Sequence, residues 1–200
     1  MKMKPLVAAI PVIFVLNACD SDTDADFPSP IEGTKPSISA SVNAAPEQDP
    51  AGRKPVGYDP CFEIGDGPIE KAGFDPSTRE RSDQIHTGYA FLGCNFERKE
   101  EIGGVRRRVG SLTISSTDIT LDQFRVREQR EGSAVTEIKV NGREAILYRR
   151  PTAEACVVVM SGPDAAIDLF IDSVGAFTQW RACDHAQEIA DVIETALPKN

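Results

Sequence analysis

Of the five cysteines in this 200-residue chain, Cys19, Cys61, Cys94, Cys156 and Cys183, the first stands in a setting of its own and decides how the other four are used. It closes Leu16-Asn17-Ala18-Cys19, which has the form of a lipobox, the site where an exported chain's cysteine takes a diacylglyceryl thioether before the preceding peptide is cut away. Lys2 and Lys4 supply a positive n-region, Pro5 to Leu16 an apolar h-region, and Ala18 the small residue before the cut. That apolar run is too short to span a hydrocarbon core, which needs about 20 residues. Cleavage as an ordinary secretory signal near Ala18 is the alternative. With lipid on Cys19, an even set of four thiols remains in a compartment that permits disulfides, so the domain that follows is expected to be cross-linked twice.

Four cysteines allow three pairings, and spacing alone does not select one. Cys61–Cys94 and Cys156–Cys183 are favoured, because each would join a helix near a domain end to a strand that the helix could cover. Each would close a loop of about 30 residues, and the chain-entropy estimate gives roughly 3–4 kcal/mol apiece. A zinc site is the rival use of these thiols. It has little support, because no C-x-x-C pair occurs and His86 and His185 lack ligand spacing.

Removing residues 1–18 takes Lys2 and Lys4 with them, and the formal charge moves from −9 to −11. So acidic a chain is a poor partner for DNA or RNA, whose phosphates require clustered Lys and Arg. It also opposes adsorption on anionic lipid, which leaves the acyl chains on Cys19 to hold the protein at a membrane.

Residues 19–57 read as the lipidated cysteine followed by a disordered tether. Pro28, Pro30, Pro36, Pro46, Pro50 and Pro55 punctuate it, and its few apolar residues cannot offset the entropy of ordering. As a coil of about 38 residues it would reach roughly 35 Å.

A folded domain is expected over 58–200. Asp59-Pro60 starts a helix as N-cap and first helical residue, and Pro68 to Ala72 forms a second short turn ended by Gly73. Ala90, Leu92, Cys94 and Phe96 alternate with Tyr89, Phe91, Gly93 and Asn95 as in a strand with one buried face. Gly103-Gly104 turns that strand into Val105 to Thr117. A strict two-residue turn would send Leu112 and Ile114 to the wrong face, so a longer loop or a bulge is required. Thr120-Leu121-Asp122-Gln123 has the form of a capping box for a helix ending near Gln129. Asn141-Gly142 suits a type I′ hairpin turn that sets Ile138 opposite Ala145 and Lys139 opposite Glu144. Two more strands follow, over Ala155 to Met160 and around Ile167, Leu169 and Ile171. An amphipathic helix from Ala182 to Leu197 closes the chain. The fold class is α+β: an antiparallel sheet of about six strands built from hairpins, covered by an N-terminal and a C-terminal helix, with two disulfides.

The succession of lipobox, Pro-rich tether, Asp59-Pro60-Cys61, Gly93-Cys94-Asn95-Phe96, Ala155-Cys156-Val157 and a last helix around Cys183 with Leu197-Pro198 resembles a family of small actinobacterial lipoproteins known only as a domain of unknown function. The resemblance covers nearly the whole mature chain. It implies an exported, lipid-anchored envelope protein of mycobacterial or nocardial type with disulfides as hallmarks. It implies no reaction, ligand or catalytic residue.

Candidate chemistry is sparse. Ser161-Gly162 follows an apolar strand, but Val159-Met160 replace the start of a G-x-S-x-G elbow, and His86 and His185 read as solvated. Asp168 and Asp172 share a strand face, as paired glycosidase carboxylates would, yet with 31 acidic residues in the chain a solvated sheet face is the simpler reading. Arg106-Arg107-Arg108, the sole basic cluster, falls opposite Glu100 and Glu101 across the hairpin. The expectation is a non-enzymatic binding or adaptor module, monomeric, without metal or cofactor, held by Cys19 on the extracytoplasmic face of the cell membrane. Its partner is a small envelope molecule or a protein. A cavity lined by residues such as Phe91, Phe96, Phe124, Phe170 or Phe177 would favour the small molecule. A hydrolase assembled from distant loops and a purely structural surface protein are the rivals.

Overall fold

A computed structural model describes residues 36–49, 51–150 and 154–199. The residues read above as signal peptide, the expected lipidation site Cys19 and the start of the expected tether lie outside them. The elements run α1 (Pro60–Glu63), α2 (Asp66–Lys71), β1 (Asp75–Arg81), β2 (Gln84–His86), β3 (Tyr89–Ile102), β4 (Val105–Thr117), α3 (Leu121–Arg130), β5 (Thr136–Val140), β6 (Arg143–Arg150), β7 (Ala155–Ser161), β8 (Ala166–Ser173) and α4 (Ala182–Glu194). The strands pair antiparallel in the order β1-β3-β4-β8-β7-β6-β5, with β2 also on β3.

Local chemistry sets most of these boundaries. Asp59 caps α1 by accepting from the Cys61 N–H at 3.0 Å, with Pro60 next to it in the first turn. Thr120 and Gln123 form the reciprocal capping box of α3. At Asn141-Gly142 both residues take positive φ, 49° and 91°, and the register is the expected one. The β3–β4 turn at Gly103-Gly104 holds two residues, and the sheet corrects its phase further along. Arg98 faces Gly110 while Lys99 faces Arg108, so Val109 is the extra residue of a bulge. Cys94 then lies beside Ile114 and Phe96 beside Leu112, as the hydrophobic pattern requires.

One face of the sheet carries the main core. Phe96, Leu112, Ile114, Val158, Met160, Leu169 and Ile171 meet Ile64 and Ile69 from α1 and α2 and Ile189 and Ile193 from α4. Two disulfides rivet this layer, Cys61–Cys94 joining α1 to β3 and Cys156–Cys183 joining β7 to α4, each with Cα atoms 5.1 Å apart.

The sheet has eight strands where six were expected. β1 and β2 escaped the hydrophobic pattern because they are polar. Arg79 of β1 is 5% exposed, paired with Asp66 at 2.8 Å, bonded to the Cys61 carbonyl at 3.0 Å and stacked over the Phe96 ring. Helix placement differs too. α3 packs on the opposite face, where Leu121 and Phe124 cover Ile146, Tyr148, Val157 and Val159.

Of the stretch read from composition as tether, residues 36–49 and 51–57 have no helix or strand but are seated on the domain. Ser39 N–H donates to Asp66 at 2.7 Å, and Ser37 accepts from the Asp66 N–H at 2.9 Å. The Gln48 amide bonds both backbone groups of Val56, at 2.9 and 3.0 Å, and Asp164 receives the N–H groups of Gly57 and Tyr58 at 3.0 and 2.8 Å. Val42 packs on the main core, and Ala45 and Val56 pack with Ala90 and Leu92.

Candidate functional site

Because α3 covers only the β6–β7 side of its face, the β3–β4–β8 side is left without a helix above it. Strand alternation places Phe91, Asn95, Thr113, Ser115, Asp168 and Phe170 there, with Thr113 beside Phe170 and Ser115 beside Asp168. Ser82 and Gln84 approach from the β1–β2 link, Arg127 from α3 and Arg150 from the end of β6. Together with Tyr89 and Phe91 they wall a pocket of about 400 Å³, within the usual range for small-ligand sites.

Gly93 lets the β1–β2 link come so close. Its N–H donates to Asp83 at 3.0 Å and its carbonyl accepts from Ser82 N–H at 3.0 Å, so the Ser82 backbone lies directly on the sheet. At the other wall, Glu128 is fully buried at the position where the α3 stripe Leu121, Phe124 continues. It accepts two bonds from Arg127, at 3.1 and 2.9 Å, and one from the Ser133 hydroxyl at 3.0 Å, with Arg150 at 3.6 Å. Arg127 also lies over Phe124 and Arg150 over Tyr148, so both guanidiniums are held at the rim.

The floor holds the unusual group. Asp168 Oδ1 is buried with no hydrogen-bond partner, a costly state for a carboxylate. Desolvation pushes its pKa from an ordinary 3.8 to about 6, with Arg127 and Arg150 drawing it down and Glu128 adding to the rise. The Tyr148 hydroxyl is likewise buried without a partner, and burial followed by the Asp168 charge pushes its pKa up.

A stability signature follows from Asp168. A carboxyl whose folded pKa lies above its unfolded value adds stability below about pH 4 that is lost as pH rises through about 6. Asp168→Asn is therefore expected to raise the unfolding free energy at pH 7.5 by about 2 kcal/mol and to flatten the pH 4–6 slope. Urea titrations across that range check it, and a variant no more stable than the parent at pH 7.5 refutes the assignment.

The other sequence candidates fall as follows. Asp168 and Asp172 do share a face, but the solvated reading fails for Asp168. Asp172 bonds the Ser111 hydroxyl and lies 3.5 Å from Arg108. His86 stacks on Tyr89, and His185 stacks on Trp180 and lies 3.4 Å from Glu188. Among the described residues neither imidazole hydrogen-bonds a serine, and no group of three or more His, Cys, Asp or Glu is placed to hold a metal. The Ser161 carbonyl accepts from Arg143. Arg106, Arg107 and Arg108 are exposed and face Glu101, Glu100 and Lys99. Of the five phenylalanines singled out, Phe91 and Phe170 line the pocket, Phe96 and Phe124 are fully buried in the two cores, and Phe177 is exposed.

Arg127, Glu128, Tyr148 and Arg150 were not singled out in the sequence. Two signals pointed there: a glutamate on the apolar stripe of α3, and an aromatic, Phe170, between two carboxylates on a face otherwise read as solvated.

Residues 14–196 match the profile of a family described as a protein of unknown function, DUF3558. No curated protein and no solved structure matches the chain.

Proposed function

From the premise that the chain belongs to the DUF3558 family, whose description carries no activity, we propose that it is an extracytoplasmic lipoprotein, anchored through Cys19 as in the actinobacterial proteins it resembles, that binds a small molecule in the pocket beside α3 without transforming it. The observation that carries the binding reading is Oδ1 of Asp168, a carboxylate oxygen buried without a hydrogen-bond partner and set among aromatic rings and guanidiniums. Groups arranged this way are costly to the empty fold and are recovered by a ligand that donates to them. Hydroxyls, an amide and two guanidiniums make up the polar lining around that carboxyl, a set suited to hydrogen-bonding a ligand. The anchor rests on the lipobox, its flanking lysines and the even count of cysteines left once Cys19 is acylated.

The test is native mass spectrometry of full-length protein extracted with detergent from its own envelope. It should show a covalent increment of diacylglycerol size on the Cys19 peptide and a non-covalent companion that Phe170→Ala loses. Wild-type protein arriving without a companion refutes the binding reading, and Cys19→Ala protein recovered in the membrane fraction refutes the anchor.

A further inference from the structure

Resting on that binding reading, we infer that the occupant of the pocket is a neutral, multiply hydroxylated ring, a saccharide, whose hydroxyls bond Asp168 and whose apolar face lies on Phe170. Charge balance excludes the simpler classes. A cationic ligand reaching Asp168 would stand beside Arg127 and Arg150, and an anionic one would meet Asp168 backed by the buried Glu128. The two guanidiniums and two carboxylates leave the pocket close to neutral, and like-charge approach in a desolvated site is costly.

A sugar hydroxyl is donor and acceptor at once, which suits the mixed lining. Asp168 offers an empty acceptor. Thr113 already donates to Asn95 at 3.1 Å, so its oxygen is left to accept, and Ser115 and Gln84 provide both functions. Among the described residues the ion-pair contacts of Arg150 are long, 3.6 Å to Glu128 and 3.8 Å to Glu131, and its ring contact with Tyr148 uses the guanidinium face, so its N–H groups have donating capacity toward the pocket.

Ring geometry separates a saccharide from a flat heterocycle. Tyr89 and Phe91, both in the pocket wall, stand at 90° to each other with centroids 6.2 Å apart. Perpendicular rings make a corner, whereas a planar base is held best by parallel faces. A corner fits a puckered ring that presents C–H groups to one aromatic and hydroxyls past its edge.

The experiment uses full-length protein in detergent and reads saturation-transfer NMR with glucose, galactose, mannose and arabinose, alongside choline, inorganic phosphate and adenosine. At least one sugar should bind, with affinity falling about tenfold in Asp168→Asn and in Phe170→Ala, the worth of one charge-assisted hydrogen bond or one stacked face. Arg106→Ala, on the exposed hairpin, should bind as the parent does. Binding should also weaken as pH drops from 7.5 to 5, because a protonated Asp168 is a poorer acceptor; the charges facing it are Arg127 and Glu128 from α3 and Arg150 from β6. If choline, phosphate or adenosine displaces the companion seen by native mass spectrometry while no sugar does, the saccharide assignment is overturned and the pocket reading stands. If there is no companion and no probe shows saturation transfer, both fall.

Discussion

Replacing Cys61 and Cys94 together by alanine is expected to lower the unfolding free energy by about 3.5 kcal/mol, and replacing Cys156 and Cys183 by about as much. The bridges close sequence separations of 33 and 27 residues, which the chain-entropy relation treats as nearly equal. Their local consequences differ. α1 has four residues, too few to persist without tertiary support, so losing Cys61–Cys94 also frees the helix that covers Phe96. α4 has thirteen residues and a buried stripe of its own, and it should stay docked without Cys156–Cys183. Access separates the two further. Cys61 and Cys94 are fully buried, whereas Cys183 is half-buried, so a mild reductant should open Cys156–Cys183 first. Urea unfolding of the two double variants, with mass-spectrometric timing of thiol alkylation, checks both statements. Unchanged midpoints would sink the first, and simultaneous labelling of all four thiols the second.

The second large effect is expected at Gly93. A Cβ there would overlap the Ser82 carbonyl oxygen and come within 3.0 Å of both the Ser82 carbonyl carbon and the Ser115 hydroxyl. Backbone cannot yield as a flexible side chain does, so Gly93→Ala should cost about 2–3 kcal/mol. The displacement would also push Ser82 and Gln84 from the pocket rim and spoil the bond from Gly93 N–H to Asp83. Thermal unfolding combined with ligand binding separates this from ordinary core damage. Phe124→Ala, which empties the adjacent core, should be destabilising by a similar or larger amount, about 3–5 kcal/mol, with the β1–β2 wall left in place. A Gly93→Ala protein with parental stability and binding would show that Ser82 does not lie against the sheet.

How much was legible in the sequence can be judged residue by residue. Where side chains face a single environment, pattern sufficed: the α4 stripe, the Asp59-Pro60 cap, the Asn141-Gly142 register, the need for a longer loop or a bulge to return Leu112 and Ile114 to the core, met by the bulge, and the favoured pairing of the cysteines. Failure came where polar groups satisfy one another across long sequence distances. Arg79 is as buried as an apolar residue because Asp66 and the Cys61 carbonyl neutralise it, and no local period announces that. The strap looked unable to fold because its apolar residues are few, yet Asp66 and Asp164 hold its backbone N–H groups. The pocket failed for a topological reason. Asp168 and Phe170 were placed on the correct face, but whether α3 lies on that face or the other depends on the path of the chain, and only there do Arg127 and Glu128 meet Asp168.

Under the anchoring proposed through Cys19, the strap would also set where force enters the domain. Seen from the sequence, the leash ends at Gly57 and tension would arrive at Tyr58 beside α1. With Ser37 and Ser39 clasped by Asp66, a pull on Pro36 is taken first at α2, on the sheet face opposite the pocket. The load falls first on the two bonds at Asp66 and, further along the strap, on the Asn43 carbonyl held by Arg81, on Gln48 and on Asp164. Strain on the N-terminal side would part the clasp at Asp66 on the far face before it reached Asp49, whose carbonyl accepts from Gly88 N–H beside the pocket residue Tyr89.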